Sequence, residues 1–367
     1  MLMRRLLAIF IICFAWNIVY SQSYNSYFHQ FEMRANYGLT IPHHTCLKYL
    51  IEKNIYIGEI NYSIKTDGSE SWQHVWRFPE LGLGYLMGSL GNINVFGFSQ
   101  SLYAFYGVPI VETENFIFKY RFGCGLSYIS EKFDARANYY NLAFGSYLNA
   151  HMHFSILVDY KLPDLPLYLS GGIAYNHFSN GAIETPNLGL NQITGNLGIK
   201  YMYSEYNYSL PKRTVPYLYE NDFEFSTYYA FSVKENSTYE NKKYFINSLI
   251  CDFASRLNNQ RSLGVGLNLI FDPSIKPLLE EDYTGAHNLL RVGVHAMQEV
   301  YLTDDLSVIM HLGTYAFNKY KDGKKILVYS KLGVRYTFAE RYFANIVLKT
   351  HTTTADYIEF GLGFRIN

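Results

Sequence analysis

The segment Tyr175-Asn176-His177-Phe178-Ser179-Asn180-Gly181 sets a histidine and a serine two residues apart. On an extended strand they share one face, with Cα atoms about 6.6 Å apart. An imidazole leaning toward the hydroxyl spans that gap and makes the base-to-nucleophile bond that serine catalysis requires. Serine is a poor nucleophile until a base takes its proton, and histidine suits that task near neutral pH. The loop that follows offers oxyanion donors in the backbone amides around Gly181 and the side chains of Asn180 and Asn187, with Pro186 to stiffen it. His-x-Ser on its own arises often by chance. The competing reading makes both residues interfacial side chains at a strand end.

The strand that would position this pair runs from Leu167. Leu167, Leu169, Gly171, Ile173, Tyr175, His177 and Ser179 fall on one face, and Tyr168, Ser170, Gly172, Ala174 and Asn176 on the other. His177 and Ser179 therefore stand on the apolar face. In a soluble protein that face is core; in a membrane barrel it faces lipid.

Parity elsewhere decides between the two. Phe116, Phe118, Tyr120, Phe122, Cys124, Leu126 and Tyr128 alternate with Ile117, Lys119, Arg121, Gly123, Gly125 and Ser127. Near the end, Ile358, Phe360, Leu362, Phe364 and Ile366 alternate with Tyr357, Glu359, Gly361, Gly363 and Arg365. One face is aromatic and aliphatic; the other mixes glycine with charge, which suits a narrow barrel whose ions pair across the lumen. Sixteen such segments are expected, near 28–38, 53–65, 78–90, 93–107, 115–130, 143–160, 166–178, 191–204, 222–235, 243–257, 260–272, 286–300, 304–317, 325–337, 341–351 and 355–366. Several reach the ~10 residues that cross a bilayer on a tilt. The expected fold is all-β: one transmembrane antiparallel β-barrel of about 12 to 16 strands, filling residues 22–367 as a single domain. Loops are expected at 66–74, 207–221 and 273–284.

The N-terminus agrees with export. Arg4 and Arg5 precede an apolar run from Leu6 to Trp16, and Val19-Tyr20-Ser21 precedes an expected cut before Gln22, so residues 1–21 read as a signal peptide. The chain has 36 tyrosines and 26 phenylalanines in 367 residues, with 31 basic and 31 acidic side chains. That balance excludes the basic surface a nucleic-acid partner favours. Cys46, Cys124 and Cys251 lie at wide spacings that suit neither a disulfide framework nor a metal site. His43 and His44 read as loop residues, and Lys349, His351, Glu359 and Arg365 as lumen ion-pairing groups.

Beyond His177-Phe178-Ser179-Asn180-Gly181 the sequence continues Pro186-Asn187-Leu188-Gly189. This HxSN…PNxG pattern resembles the signature of the lipid A 3-O-deacylase family, also called PagL-like or acyloxyacyl hydrolase. The match covers about 15 residues; elsewhere the likeness is architectural, and the chain is much longer than the small eight-stranded members. The resemblance implies an outer-membrane barrel of a Gram-negative bacterium that removes an ester-linked acyl chain from lipid A of lipopolysaccharide. It implies Ser179 as nucleophile, His177 as general base and Asn187 as an oxyanion donor, without metal or cofactor. The expected partners are lipid A, outer-membrane lipids and the barrel-assembly machinery, with a homodimer also compatible. The family places a glutamate 14 residues after the histidine, where this chain has Asn191. An asparagine orients imidazole by accepting a hydrogen bond; Glu184, in the same loop, is the alternative. A non-enzymatic channel or structural barrel, and a phospholipase-type esterase, are the competing functional classes.

Overall fold

The structure is a computed structural model that describes residues 28–42, 44–203, 212–214, 223–236, 242–278, 285–318, 328–351 and 354–366. The expected signal peptide, His43 and nearly all of the expected 207–221 loop lie outside the described residues.

Sixteen strands form among the described residues, in two groups. The first holds β1 (Phe28–Ile41), β2 (Ile55–Lys65), β3 (Glu80–Ser89), β4 (Phe98–Glu112), β5 (Phe116–Ile129), β6 (Leu148–Lys161), β7 (Leu167–Ser179) and β8 (Leu190–Tyr203). The second holds β9 (Phe223–Glu235), β10 (Lys243–Asn258), β11 (Arg261–Phe271), β12 (Leu290–Tyr301), β13 (Leu306–Asn318), β14 (Val328–Phe338), β15 (Tyr342–His351) and β16 (Thr354–Ile366). Two short helices, α1 (Thr45–Lys48) and α2 (Ser71–Val75), sit in connections of the first group. The largest differences in strand start from the sequence reading are in β6, expected from residue 143, and in β4, expected from residue 93. The Asn92 side chain accepts the N–H groups of Asn94 and Val95 and turns that stretch into a loop.

The single-barrel expectation is corrected. β8 pairs back onto β1 and β16 onto β9, so the chain closes two eight-stranded barrels. Alternation specifies which face of each strand looks inward, and within each barrel every neighbour in sequence pairs antiparallel. Neither signal says where the sheet returns to its first strand, because closure is a long-range pairing. With both sheets closed, no strand of either barrel keeps an open edge.

The expected face assignment holds. Ile173, Leu169, Phe116 and Leu362 are exposed on the outer walls, while Lys119, Arg121, Lys200 and Glu359 are buried in the lumens. In the first barrel Glu80 meets Lys119, Arg121 and Lys200, and Asp159 pairs with Lys119 and Lys200. In the second, Glu299 holds Arg335 and Arg365, Glu359 holds Lys331, and Asp356 accepts Lys349 with His351 beside it. Cys46, Cys124 and Cys251 are free, the first two exposed.

One end of the first barrel carries most of the described connecting chain. Residues 42–54, 90–97, 130–147 and 180–189 lie there; the opposite, short-turn end has the turns at 113–115 and 162–166 beside the 66–79 connection that holds α2. Leu47, Leu90, Phe96, Phe144, Phe178 and Leu190 pack into an apolar cluster beneath the long loops. The two barrels touch at both levels. At the short-turn end, the Tyr106 hydroxyl donates to the Leu302 carbonyl (2.8 Å) and the Trp76 indole N–H to that of Tyr301 (2.8 Å). At the long-loop end, residues 181–185 meet the β9–β10 hairpin. Contact joins like ends, so the barrels stand side by side with the same polarity.

Candidate active site

β7 ends on Ser179 and β8 begins at Leu190, and the antiparallel register sets His177 directly opposite Asn191. Facing residues on adjacent strands point to the same side with Cβ atoms about 5 Å apart. The 14-residue spacing is thus the hairpin register: it brings the third group beside the imidazole. The His177 Nδ1 lies 2.6 Å from Asn191 Oδ1, and its Nε2 lies 3.1 Å from Ser179 Oγ. With Asn191 accepting from Nδ1–H, the Nε2 lone pair is directed at the serine hydroxyl. The Tyr175 hydroxyl donates to the same Asn191 oxygen at 2.9 Å and fixes the amide's orientation. Tyr175 was passed over in the sequence as an aromatic of the apolar face. Its signal was there, since it shares the parity of His177 one pleat earlier.

The pair stands on the outer wall. Ile173 and Tyr175 on β7 and Met152 on β6 are exposed around it, and Ser179 itself is 8% exposed at the rim. Phe178, pointing the opposite way, stacks on His151 with centroids 4.7 Å apart and anchors the strand end in the apolar cluster.

The loop from Asn180 to Gly189 is held at both ends by its own barrel. Asn180 Nδ2 donates to Ser146 Oγ and to the Glu184 carbonyl, each at 2.9 Å, and its backbone N–H donates to Asn187 Oδ1 at 2.9 Å. Leu188 and Gly189 N–H groups donate to the carbonyls of Leu142 and Ala143. Gly189 has φ +69°, and a Cβ there would lie 2.7 Å from the Phe178 carbonyl oxygen and 3.2 Å from Ser179 Cβ. Only glycine lets the loop pass so close to the serine.

These bonds sort the expected oxyanion donors. Asn180 was expected among them, but its donors are committed to holding the loop. Asn187 uses its oxygen on the Asn180 N–H, which leaves its NH2 as the donor, and Gly181 N–H carries no bond among the described residues. Glu184, the alternative third residue, turns away: its Oε1 pairs with Lys243 Nζ of β10 at 2.9 Å.

One other cluster among the described residues has ligand chemistry. Asp252, His295 and His311 bring their donor atoms within 4.8 Å of one another in the second lumen. The two imidazoles are stacked, with centroids 4.2 Å apart and planes 13° apart, so one ion cannot lie in both ring planes. Arg335 Nη2, 3.9 Å from Asp252 Oδ2, already sets a cation there. His44 lies in the loop before α1, and its neighbour His43 is outside the described residues.

Comparisons with known proteins follow this division of the chain. Residues 57–200 match the family model "Lipid A 3-O-deacylase (PagL)", and residues 223–367 match "Acyloxyacyl hydrolase, C-terminal domain". No curated protein matches the chain. Among solved structures, the outer membrane enzyme PagL aligns at 18% identity and TM-score 0.33, over 46% of this chain and 98% of that one. The translocator domain of the autotransporter NalP from Neisseria meningitidis aligns at 11% identity and TM-score 0.20, over 98% and 96%. The siderophore receptor PirA from Pseudomonas aeruginosa aligns at 9% identity and TM-score 0.24, over 92% and 80%. The two family models meet the two barrels, and the chain belongs to the PagL-like outer-membrane family of lipid A deacylases, which are ester hydrolases.

Proposed function

We propose that the first barrel is a serine esterase that removes one ester-linked acyl chain from lipid A in the outer membrane. The observation that carries this reading is the chain Asn191 Oδ1, His177, Ser179 Oγ, with contacts of 2.6 and 3.1 Å, on the lipid-facing wall. Ser179 Oγ attacks the ester carbonyl carbon while His177 Nε2 takes its proton. The Asn187 NH2, with Gly181 N–H, stabilises the oxyanion. The carbon–oxygen bond to the sugar breaks, the sugar oxygen takes the proton from the imidazolium, and the acyl group remains on Ser179. Water, deprotonated by the same imidazole, then releases the fatty acid.

The placement follows from the substrate. An acyl chain lies in the bilayer, so a catalytic pair that reaches its ester must open to the outer wall near the membrane surface. In outer-membrane barrels the longer connections are extracellular, which puts Ser179 at the leaflet that lipopolysaccharide occupies. A signal peptide at residues 1–21 and insertion by the barrel-assembly machinery go with this reading. The buried ion pairs and the apolar cluster under the loops fill the first lumen, which weighs against a channel.

The test is mass spectrometry of lipid A and glycerophospholipid incubated with the purified protein. Loss of one acyl chain from lipid A alone is expected; cleavage of glycerophospholipid alone would make it a phospholipase, and no cleavage with conductance in liposomes would make it a pore. Asn191 gives a second prediction. Asn191→Leu removes the acceptor that holds Nδ1–H, and the imidazole is free to turn or change tautomer, so kcat should fall about 10²-fold. KM for lipid A should change little, because Asn191 touches the base and not the acyl chain. An unchanged kcat would remove Asn191 from the site.

A further inference from the structure

The serine, the histidine and Asn191 all belong to the first barrel, so the second is not needed to supply the reacting groups. We infer that the second barrel sets the position of the oxyanion loop, with Glu235 and Lys243 as positioning residues. The inference rests on the esterase reading of Ser179.

Four contacts carry it. Glu235, at the end of β9, accepts the Thr185 N–H on its carboxylate at 2.6 Å and donates its own backbone N–H to the Ala182 carbonyl at 3.0 Å. This buried residue thus clamps the loop at two points three residues apart. A carboxylate accepting from a backbone N–H at that distance makes a strong, charge-assisted bond. Lys243 Nζ pairs with Glu184 Oε1 between the clamped positions. Gly181 lies so close to Ile358 of β16 that a Cβ on it would collide with that side chain.

The backbone gives a reason for an external hold. Gly181 and Ala182 are consecutive left-handed residues, with φ +62° and +61°. The alanine adopts that conformation only when its surroundings impose it. The first barrel grips the loop at Asn180, Leu188 and Gly189; the second grips 182–185, between Asn180 and Asn187. That segment determines where the Asn187 NH2 and the Gly181 N–H stand relative to Ser179 Oγ. A donor that meets charge only in the transition state affects kcat more than KM.

The experiment uses the full chain in detergent with lipid A as substrate. Glu235→Ala should lower kcat about 10-fold with KM nearly unchanged, and Glu235→Gln, whose amide oxygen still accepts Thr185 N–H, should recover most of the loss. Lys243→Glu and Glu184→Lys should each lower kcat a few-fold, and the two together should restore it. Heat-modifiable mobility on gels monitors the barrels. Equal kcat for Glu235→Ala and the unaltered protein, with Ser179→Ala inactive, overturns the inference and leaves the esterase reading standing. Equal losses in the Ala and Gln variants, tracking loss of folded barrel, overturn it as well. Full activity in Ser179→Ala brings down both.

Discussion

Ser179→Ala should abolish lipid A deacylation, lowering kcat by at least about 10³-fold. The variant keeps His177 held by Asn191 but loses the hydroxyl that His177 Nε2 faces at 3.1 Å. What remains is direct attack by water, with the imidazole as base and the loop donors in place, which is far slower than attack by a held hydroxyl. Stability should hardly change. The hydroxyl contributes one side-chain hydrogen bond, worth about 1 kcal/mol, and the strand is anchored by Phe178 on the opposite face. His177→Ala should cost a comparable factor, and the double variant should be no worse than either single one, since base and nucleophile act as a unit. Retention of the unaltered rate by purified Ser179→Ala would show that the nucleophile lies elsewhere.

Most of the first barrel's candidate site was legible in the sequence because period-two alternation is a local signal. His177 and Ser179 share a face whatever the rest of the chain does, and exposed Ile173 and Tyr175 bear out that this face looks outward. The PNxG continuation pointed to the loop, and the hairpin register explains why the third residue stands 14 positions on. What was not legible depends on pairings distant in sequence. Nothing in β8 announces that it bonds to β1, so one barrel was expected where two close. Asn180 has the right chemistry for an oxyanion donor, but Ser146, 34 residues earlier, takes up its side-chain amide. Glu184 was the alternative to Asn191 beside the imidazole, and Lys243, 59 residues later, draws it across to the second barrel. Glu235 carried no motif at all. Its relevance comes from a strand end in one barrel meeting a loop in the other.

The largest effect on stability should come from Glu80, at the short-turn end of the first lumen. Both its oxygens accept from Lys119 Nζ, at 2.9 and 2.7 Å, and Arg121 and Lys200 lie at 3.5 and 3.4 Å. The surrounding charges balance: Arg34, Lys65, Lys119, Arg121 and Lys200 against Glu32, Glu59, Glu80, Glu112 and Asp159. Glu80→Ala leaves that interior with one buried cation in excess, and removing one partner of a buried ion pair costs about 3–5 kcal/mol. The temperature at which the barrel loses its compact, heat-modifiable form should fall clearly. Glu80→Met combined with Lys119→Met removes one charge of each sign and fills the space, so it should cost much less than Glu80→Ala alone. If the single variant is as stable as the unaltered chain, water or counterions reach the lumen and its ion pairs are not what fills it. Because Glu80 starts β3 at the end opposite Ser179, its loss should leave kcat unchanged while the barrel stays folded. Stability and catalysis in this chain are therefore separable by which end of the barrel is altered.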